Sequence, residues 1–433
     1  MLLFPLLTLI LFLSNNHFTS CFLHEIPLTK QPLTSSSIST SINPSLFYTL
    51  PISIGTPSQP FNVIIATGSS GLLIADISSN LNTTNKYDAS KSTTSNNTQQ
   101  TQFFPFFDHS LSYGNLYNDT FNITSNFSID SFQFASLIYG TFNPSAINDG
   151  ILGMNQNDTN VIPLLGQKIF SLYDPETANG ESFMYIGDKH SNFTNESNII
   201  AKCEVTENKE LYWKCKASHI ILNDTVTSDT VSNNNYSFEF EEEIIFDSGS
   251  NAFMFPYKYV EQFKSILNQS ILNKQCEVKI ANENIEYITC KKDYIKDIHI
   301  VINKYALKIK KENIWEEIKD EEGNVVYGLN VFFNKKDTSV IIVGMQMFKG
   351  YHVLFDKENK EIQFYTHNEG FIVKIRNINI LLIVILSVGG VIIIVAEIVL
   401  LYYFLCKKKS KYELEDKVND LGTNDQQLLA NQE

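Results

Sequence analysis

The chain is 433 residues long, carries 31 phenylalanines and 20 tyrosines, and has a formal net charge of -14. That length holds two lobes with cores of their own plus segments outside the fold, and the aromatic content suits a large β-rich interior. The acidic balance excludes general affinity for nucleic acid or for an anionic membrane surface.

Residues 1–21 open on an almost wholly apolar run and pass through small and polar residues to Cys21, the pattern of a secretory signal peptide lacking its usual basic start. A membrane anchor is the other reading, but an apolar run of about 13 residues is short for a span. Residues 22–45, rich in Ser, Thr and Pro, read as an extended lead-in whose basic residues are His24 and Lys30. Residues 47–57 (Phe-Tyr-Thr-Leu-Pro-Ile-Ser-Ile-Gly-Thr-Pro) alternate and then turn, which is a hairpin signal. Next, Val63-Ile64-Ile65 reads as a buried strand, and Thr67-Gly68-Ser69-Ser70 as the tight loop ending it. The same order recurs in the second half, where Ile244-Ile245-Phe246 runs into Asp247-Ser248-Gly249-Ser250. One strand-then-loop per half implies two lobes whose loops meet at a central cleft.

On these stretches the chain resembles the pepsin-like aspartic proteases, whose lobes each supply an Asp-Thr/Ser-Gly-Thr/Ser loop. The resemblance implies an all-β, bilobal fold with a central cleft, an N-terminal lobe over 46–198 and a C-terminal lobe over 199–368. It also implies aspartic-type endopeptidase chemistry, with no metal and no other cofactor. There, two carboxylates share one proton: one takes a proton from the attacking water while the other donates to the scissile carbonyl. Asp247 matches one of the pair, and Ala66 stands where the other is required. With its partner gone, the pKa of Asp247 is expected near the single-carboxyl range of about 4 unless burial raises it. Thr67 and Ser248 match the hydroxyls that hydrogen-bond between lobes. Gly68 and Gly249 keep the turns, and Ser69 and Ser250 complete the loops. An inhibitory prosegment of basic residues is not expected from 22–45.

Residues 77–101 are polar and read as a glycosylated surface loop with little core value. Residues 111–117 (Leu-Ser-Tyr-Gly-Asn-Leu-Tyr) resemble the family's flap hairpin, with Tyr113 and Gly114 over the cleft; a plain strand aromatic is the other reading of Tyr113. Leu116 stands where the family often has glycine, and Leu73 where a tryptophan braces the flap tyrosine. Residues 148–153 match the segment beneath the first active loop. Residues 169–173 fit a short helix, and 180–187 a strand of the sheet joining the lobes. Farther on, 298–302 and 305–307 alternate as a strand pair. Residues 340–345 resemble a strand ending in Leu-Gly-Asp, with Met345 in the aspartate's place, and 351–356 with 361–365 resemble the closing hairpin.

Four cysteines, Cys203, Cys215, Cys276 and Cys290, lie between the two apolar ends. An even count in an oxidising compartment implies two disulfides among three possible pairings, and the local pairs Cys203–Cys215 and Cys276–Cys290 are the expected ones. The resemblance supports the second, since a bridged loop before the last strands of the second lobe is a family feature. No Cys-x-x-Cys or clustered histidine points to a metal. Asn-x-Ser/Thr sequons fall at Asn82, Asn96, Asn118, Asn122, Asn126, Asn157, Asn192, Asn195, Asn223, Asn235 and Asn268, and none falls after Cys406.

Residues 378–405 are almost wholly apolar and exceed the roughly 20 needed to cross a bilayer as a helix. Lys407-Lys408-Lys409 follow, which places the tail, 406–433, in the cytoplasm. A single-pass type I membrane glycoprotein of the secretory or endolysosomal pathway or cell surface results, with a monomeric ectodomain. Three functions fit: a homologue that binds a peptide or protein in its cleft without cutting it, an active endopeptidase, or a structural surface glycoprotein.

Overall fold

Runs of Val, Ile, Phe and Tyr broken by Gly, Pro and Asn make strands the local preference of this chain. The structure, a computed structural model, describes residues 24–32 and 46–375, apart from 107–109, 125–126, 142–147, 178–179, 188–198, 208, 232, 321, 337–339, 367 and 369, together with Leu400. Residues 1–21, read as a signal peptide, the apolar segment 378–405 except Leu400, the segment 406–433 and the sequons at Asn126, Asn192 and Asn195 lie outside the described residues. Among the described residues, no helix is long and apolar enough to cross a membrane.

The described strands form three sheets, of thirteen, nine and five strands. Strands of the first half are β1 (His24–Pro32), β2 (Leu46–Ile54), β3 (Gln59–Ala66), β4 (Leu72–Ala75), β5 (Asn96–Pro105), β6 (Leu111–Thr124), β7 (Phe127–Gly140), β8 (Gly150–Gly153), β9 (Ile169–Asp174) and β10 (Ser182–Ile186). β11 (Ile199–Glu204) follows them. The largest sheet runs β11, Glu361–Thr366, Tyr351–Asp356, β9, β10, β1, β2, β3, β8, β4, β7, β6, β5. It therefore joins two strands from near the end of the fold, Tyr351–Asp356 and Glu361–Thr366, to the first. Tyr351–Asp356 pairs antiparallel with β9, from Tyr351 opposite Asp174 to Asp356 opposite Ile169. Leu50, Val63, Ile65, Phe253, Phe333 and Phe355 are fully buried in the main core.

Two expectations change here, those for 169–173 and 77–101, and a third, the extended lead-in, takes a definite form. Residues 169–173 form β9 rather than a helix, because both its edges are claimed, by β10 and by Tyr351–Asp356; Val161–Leu164 is the short helix just before it. Part of the lead-in is β1, held between β10 and β2, and its Lys30 forms an ion pair with buried Asp174 at 2.7 Å. The polar segment 77–101 does feed the core. Tyr87 is fully buried, and its hydroxyl donates to the Asp119 carboxylate at 2.7 Å.

Both disulfides join the local pairs, Cys203–Cys215 and Cys276–Cys290. Cys276 and Cys290 face each other directly across an antiparallel pair of strands. Of the described sequons, Asn82, Asn96, Asn235 and Asn268 are exposed, while Asn118, Asn122, Asn157 and Asn223 are half-buried.

Candidate active site

Each candidate loop leaves a strand buried on both sides. β3 runs parallel to β8, with Val63 opposite Gly150 and Ala66 opposite Gly153. Glu243–Phe246 runs parallel to Ile341–Val343, with Phe246 opposite Val343. Strands so enclosed must be continuously apolar, which is why Val63-Ile64-Ile65 and Ile244-Ile245-Phe246 precede the polar turns. The turns match as well: the Asn155 amide donates to the Ser69 carbonyl at 3.0 Å, and the Met345 amide to the Ser250 carbonyl at 2.8 Å.

The two loops clasp one another through reciprocal bonds. The Thr67 hydroxyl donates to the Phe246 carbonyl at 2.7 Å and accepts the Ser248 amide at 3.0 Å. The Ser248 hydroxyl donates to the Ile65 carbonyl at 2.7 Å and accepts the Thr67 amide at 3.2 Å. Both side chains are fully buried, so no water competes for these four bonds. Ser250 turns its hydroxyl to the Ala252 carbonyl of its own loop. Nearby, the Trp213 indole donates to the Met154 carbonyl at 2.7 Å, which ties the second half to the segment after β8.

At the centre of this clasp lies one carboxylate. Asp247 Oδ1 accepts the Gly68 amide and the Gly249 amide, each at 2.9 Å, so it draws a donor from each loop. Oδ2 takes no hydrogen bond from the described residues. Asp247 is only 7% exposed, and burial raises its pKa, opposed by the two glycine amides that stabilise the charge. The exception foreseen in the sequence is thus the case that holds. Both glycines are required here. A Cβ on Gly68 would lie 2.5 Å from the Asp247 Cγ, and one on Gly249 would lie 2.5 Å from the Ala66 Cβ. The two positions mirror each other, except that one meets a carboxyl and the other a methyl.

Ala66 belongs to a small apolar cluster with Leu73, Ala75, Leu81, Leu116, Ala135, Leu137 and Ile151. Two half-buried residues pack against it, Phe104 and Phe106. They mark where the hairpin turns: Pro105 pairs with Leu111, and the Phe106 amide donates to the Ser110 carbonyl. Tyr113 and Gly114, read from the sequence as flap residues over the cleft, lie within β6, between β5 and β7 and away from that turn. Tyr113 sits in an outward row between Phe103 and Tyr139, ring centroids 5.6 and 5.7 Å away. Gly114 serves close approach instead of turning, since a Cβ there would lie 2.3 Å from the Ser136 carbonyl oxygen. Sequence reasoning missed Phe104 and Phe106. The signal available was the run Phe103-Phe104-Pro105-Phe106-Phe107, too apolar for a plain surface loop.

Asp76 does not reach the site. It accepts from the Ser136 hydroxyl at 2.7 Å and from the Ser78 amide at 2.8 Å. Among the described residues, no group of three or more His, Cys, Asp or Glu could hold a metal. A single carboxyl at the junction can at any moment either give a proton or take one. It cannot do both.

Residues 47–367 match the family model described as eukaryotic aspartyl protease. The chain is also similar to pepsin A of Gallus gallus, with 25% identity over 328 residues, 72% of this chain and 82% of the relative.

Proposed function

The chain belongs to the eukaryotic aspartyl protease family, and from that premise we propose that it binds peptide or protein segments in its cleft without cleaving them. The observation that carries the reading is Ala66, a buried methyl where the chemistry needs a second carboxylate, within a clasp that is otherwise complete. Loss of one acid–base group alone costs a factor of about 10²–10⁴ in rate, and groups acting as a unit lose more. Meanwhile the clasp keeps the two loops in register, so the cleft retains its shape.

The chemistry beside Ala66 suits an apolar residue of the ligand. Leu73, Leu116 and the two phenylalanines at the hairpin tip supply the wall, and Asp247 Oδ2 supplies one polar contact for a backbone carbonyl or hydroxyl. Around this ectodomain we place a cleaved signal peptide, N-linked glycans and a single span at 378–405. Exposure of Asn82, Asn96, Asn235 and Asn268 supports the glycans, and Lys407-Lys408-Lys409 supports a type I orientation.

The test uses the purified full chain, an Ala66→Asp variant and an Asp247→Asn variant, with fluorogenic peptides between pH 3 and 6. The expected result is no turnover by the natural chain and gain of turnover in Ala66→Asp. A statine-type peptide should bind the natural chain regardless. Robust turnover by the natural chain that disappears in Asp247→Asn would overturn the proposal in favour of an active endopeptidase.

A further inference from the structure

The thirteen-stranded sheet ends on β5, which pairs with β6 on one side and with no described strand on the other. All of β5 is exposed except Thr98 and Phe104, which are half-buried. An unpaired edge presents a row of open amides and carbonyls, and proteins commonly guard it with charged side chains. Residues 96–105 read Asn-Asn-Thr-Gln-Gln-Thr-Gln-Phe-Phe-Pro and carry no ionisable side chain; the nearest charges along the chain, Lys91 and Asp108, fall outside the strand. Alternation fixes which backbone groups face the open side. The Phe106 amide donates to the Ser110 carbonyl across the hairpin, so Phe104 and Gln102 also turn their backbone groups towards β6. Thr101, Phe103 and Pro105 turn theirs outward, a placement that suits Pro105, which has no amide to offer. A bulge between Asn97 and Thr101, with Gln99 at φ 62°, ends the regular edge. The stretch open to pairing is therefore 101–105, centred on Phe103.

Phe103 is also the outer end of the ring row that runs from Tyr139 through Tyr113, and it is 63% exposed. A second copy, turned about a two-fold axis through Phe103, meets this edge with the same stretch reversed. Antiparallel pairing then sets Phe103 opposite Phe103 and Thr101 opposite Pro105. The two Phe103 residues exchange both backbone bonds, and each Thr101 amide reaches a Pro105 carbonyl, so the absent proline amide removes only one bond per copy. In that register the ring row continues from one copy into the other, and the two exposed phenylalanines cover each other. A slip of two residues loses this, because it sets Phe103 against Thr101 or Pro105. We propose that the chain forms a two-fold dimer by antiparallel pairing of β5 with β5 of a second copy, in place of the monomeric ectodomain read from the sequence.

Disulfide trapping and sedimentation equilibrium, both on the full chain, test the pairing. Phe103→Cys sets two thiols on directly opposed residues, with Cα atoms about 5.5 Å apart and within reach of a disulfide. Gln102→Cys sets them on the other face, each opposite Phe104 and offset from the other. Oxidised membranes carrying Phe103→Cys should give a cross-linked dimer on a non-reducing gel that the natural chain and Gln102→Cys do not give. Detergent-solubilised natural chain should sediment as a concentration-dependent dimer. Phe103→Lys, at an exposed position, opposes like charges across the pair and should weaken that dimer by about tenfold. A natural chain that stays monomeric up to about 100 μM overturns the proposal. So does a dimer that Phe103→Lys leaves unchanged, cross-linking as strong from Gln102→Cys, or cross-linking of Phe103→Cys to another protein instead of itself, which would give the edge to a foreign strand.

Discussion

Asp247 has gathered on one oxygen the two loop amides that a pair of carboxylates would divide. Its pKa stands above the ordinary carboxyl value because burial outweighs those two bonds. A raised acid binds its proton more tightly in the folded state than in the unfolded one. Its contribution to stability is therefore complete below the unfolded value of about 3.9 and is lost as pH rises through the folded pKa. A carboxamide in its place does not ionise and keeps an Oδ1 for both amides. Asp247→Asn should thus match the natural chain near pH 3 and melt at a higher temperature near pH 7. A lower Tm for that variant at neutral pH would contradict the assigned direction.

At the scale of single elements, the strand Ile298–Ile302 carries a titration of opposite sign. His299 is fully buried, neither ring nitrogen has a hydrogen-bond partner among the described residues, and burial, aided by the charge of Lys308 and opposed by Asp224, pushes its pKa down to about 3. It faces Ile221 on one neighbouring strand and Lys308 on the other. For a depressed base, stability is present above the unfolded value of 6.5 and is lost as pH falls toward the folded one. Between pH 6.5 and 5 that loss is about 2 kcal/mol. His299→Leu should flatten the decline of Tm over that window, and an unchanged slope would place the acid sensitivity elsewhere. β6 offers a steric counterpart. Gly114→Ala drives a methyl into the Ser136 carbonyl, an overpacking cost of about 1–3 kcal/mol, read as a lower Tm with the clasp unaltered.

For the molecule as a whole, the joint sheet and the clasp are two independent ties between the halves of the chain. One is a ladder of backbone bonds across β9 and Tyr351–Asp356; the other is four buried bonds between the loops. Disulfides act on a different quantity, the freedom of the unfolded chain. Cys276–Cys290 closes a separation of 14 residues, and a loop of that size contributes about 3 kcal/mol. Replacing both cysteines by serine should lower the thermal midpoint under oxidising conditions and abolish any further drop on adding reductant from this pair. A midpoint equal to that of the natural chain would show that the hairpin is held by its own strand pairing.

Legible in the residues alone were the clasp, the missing carboxylate, the family resemblance and the local disulfide pairs as the expected choice among three. Those features are carried by short local patterns: an apolar run that must be buried on both sides, a hydroxyl–Gly–Ser turn, an isolated aspartate, cysteines close along the chain. Tertiary structure decided the rest, because each outcome depends on what lies opposite a residue. Residues 169–173 became a strand because both edges are claimed, one by the next strand, β10, and the other by the distant strand Tyr351–Asp356. Gly114 admits the Ser136 backbone at close range within β6, and it is Phe104 and Phe106 that pack against the cluster around Ala66. Whether Asp247 gained or lost acidity rested on a balance between desolvation and two amides, one of them supplied by a loop 179 residues away.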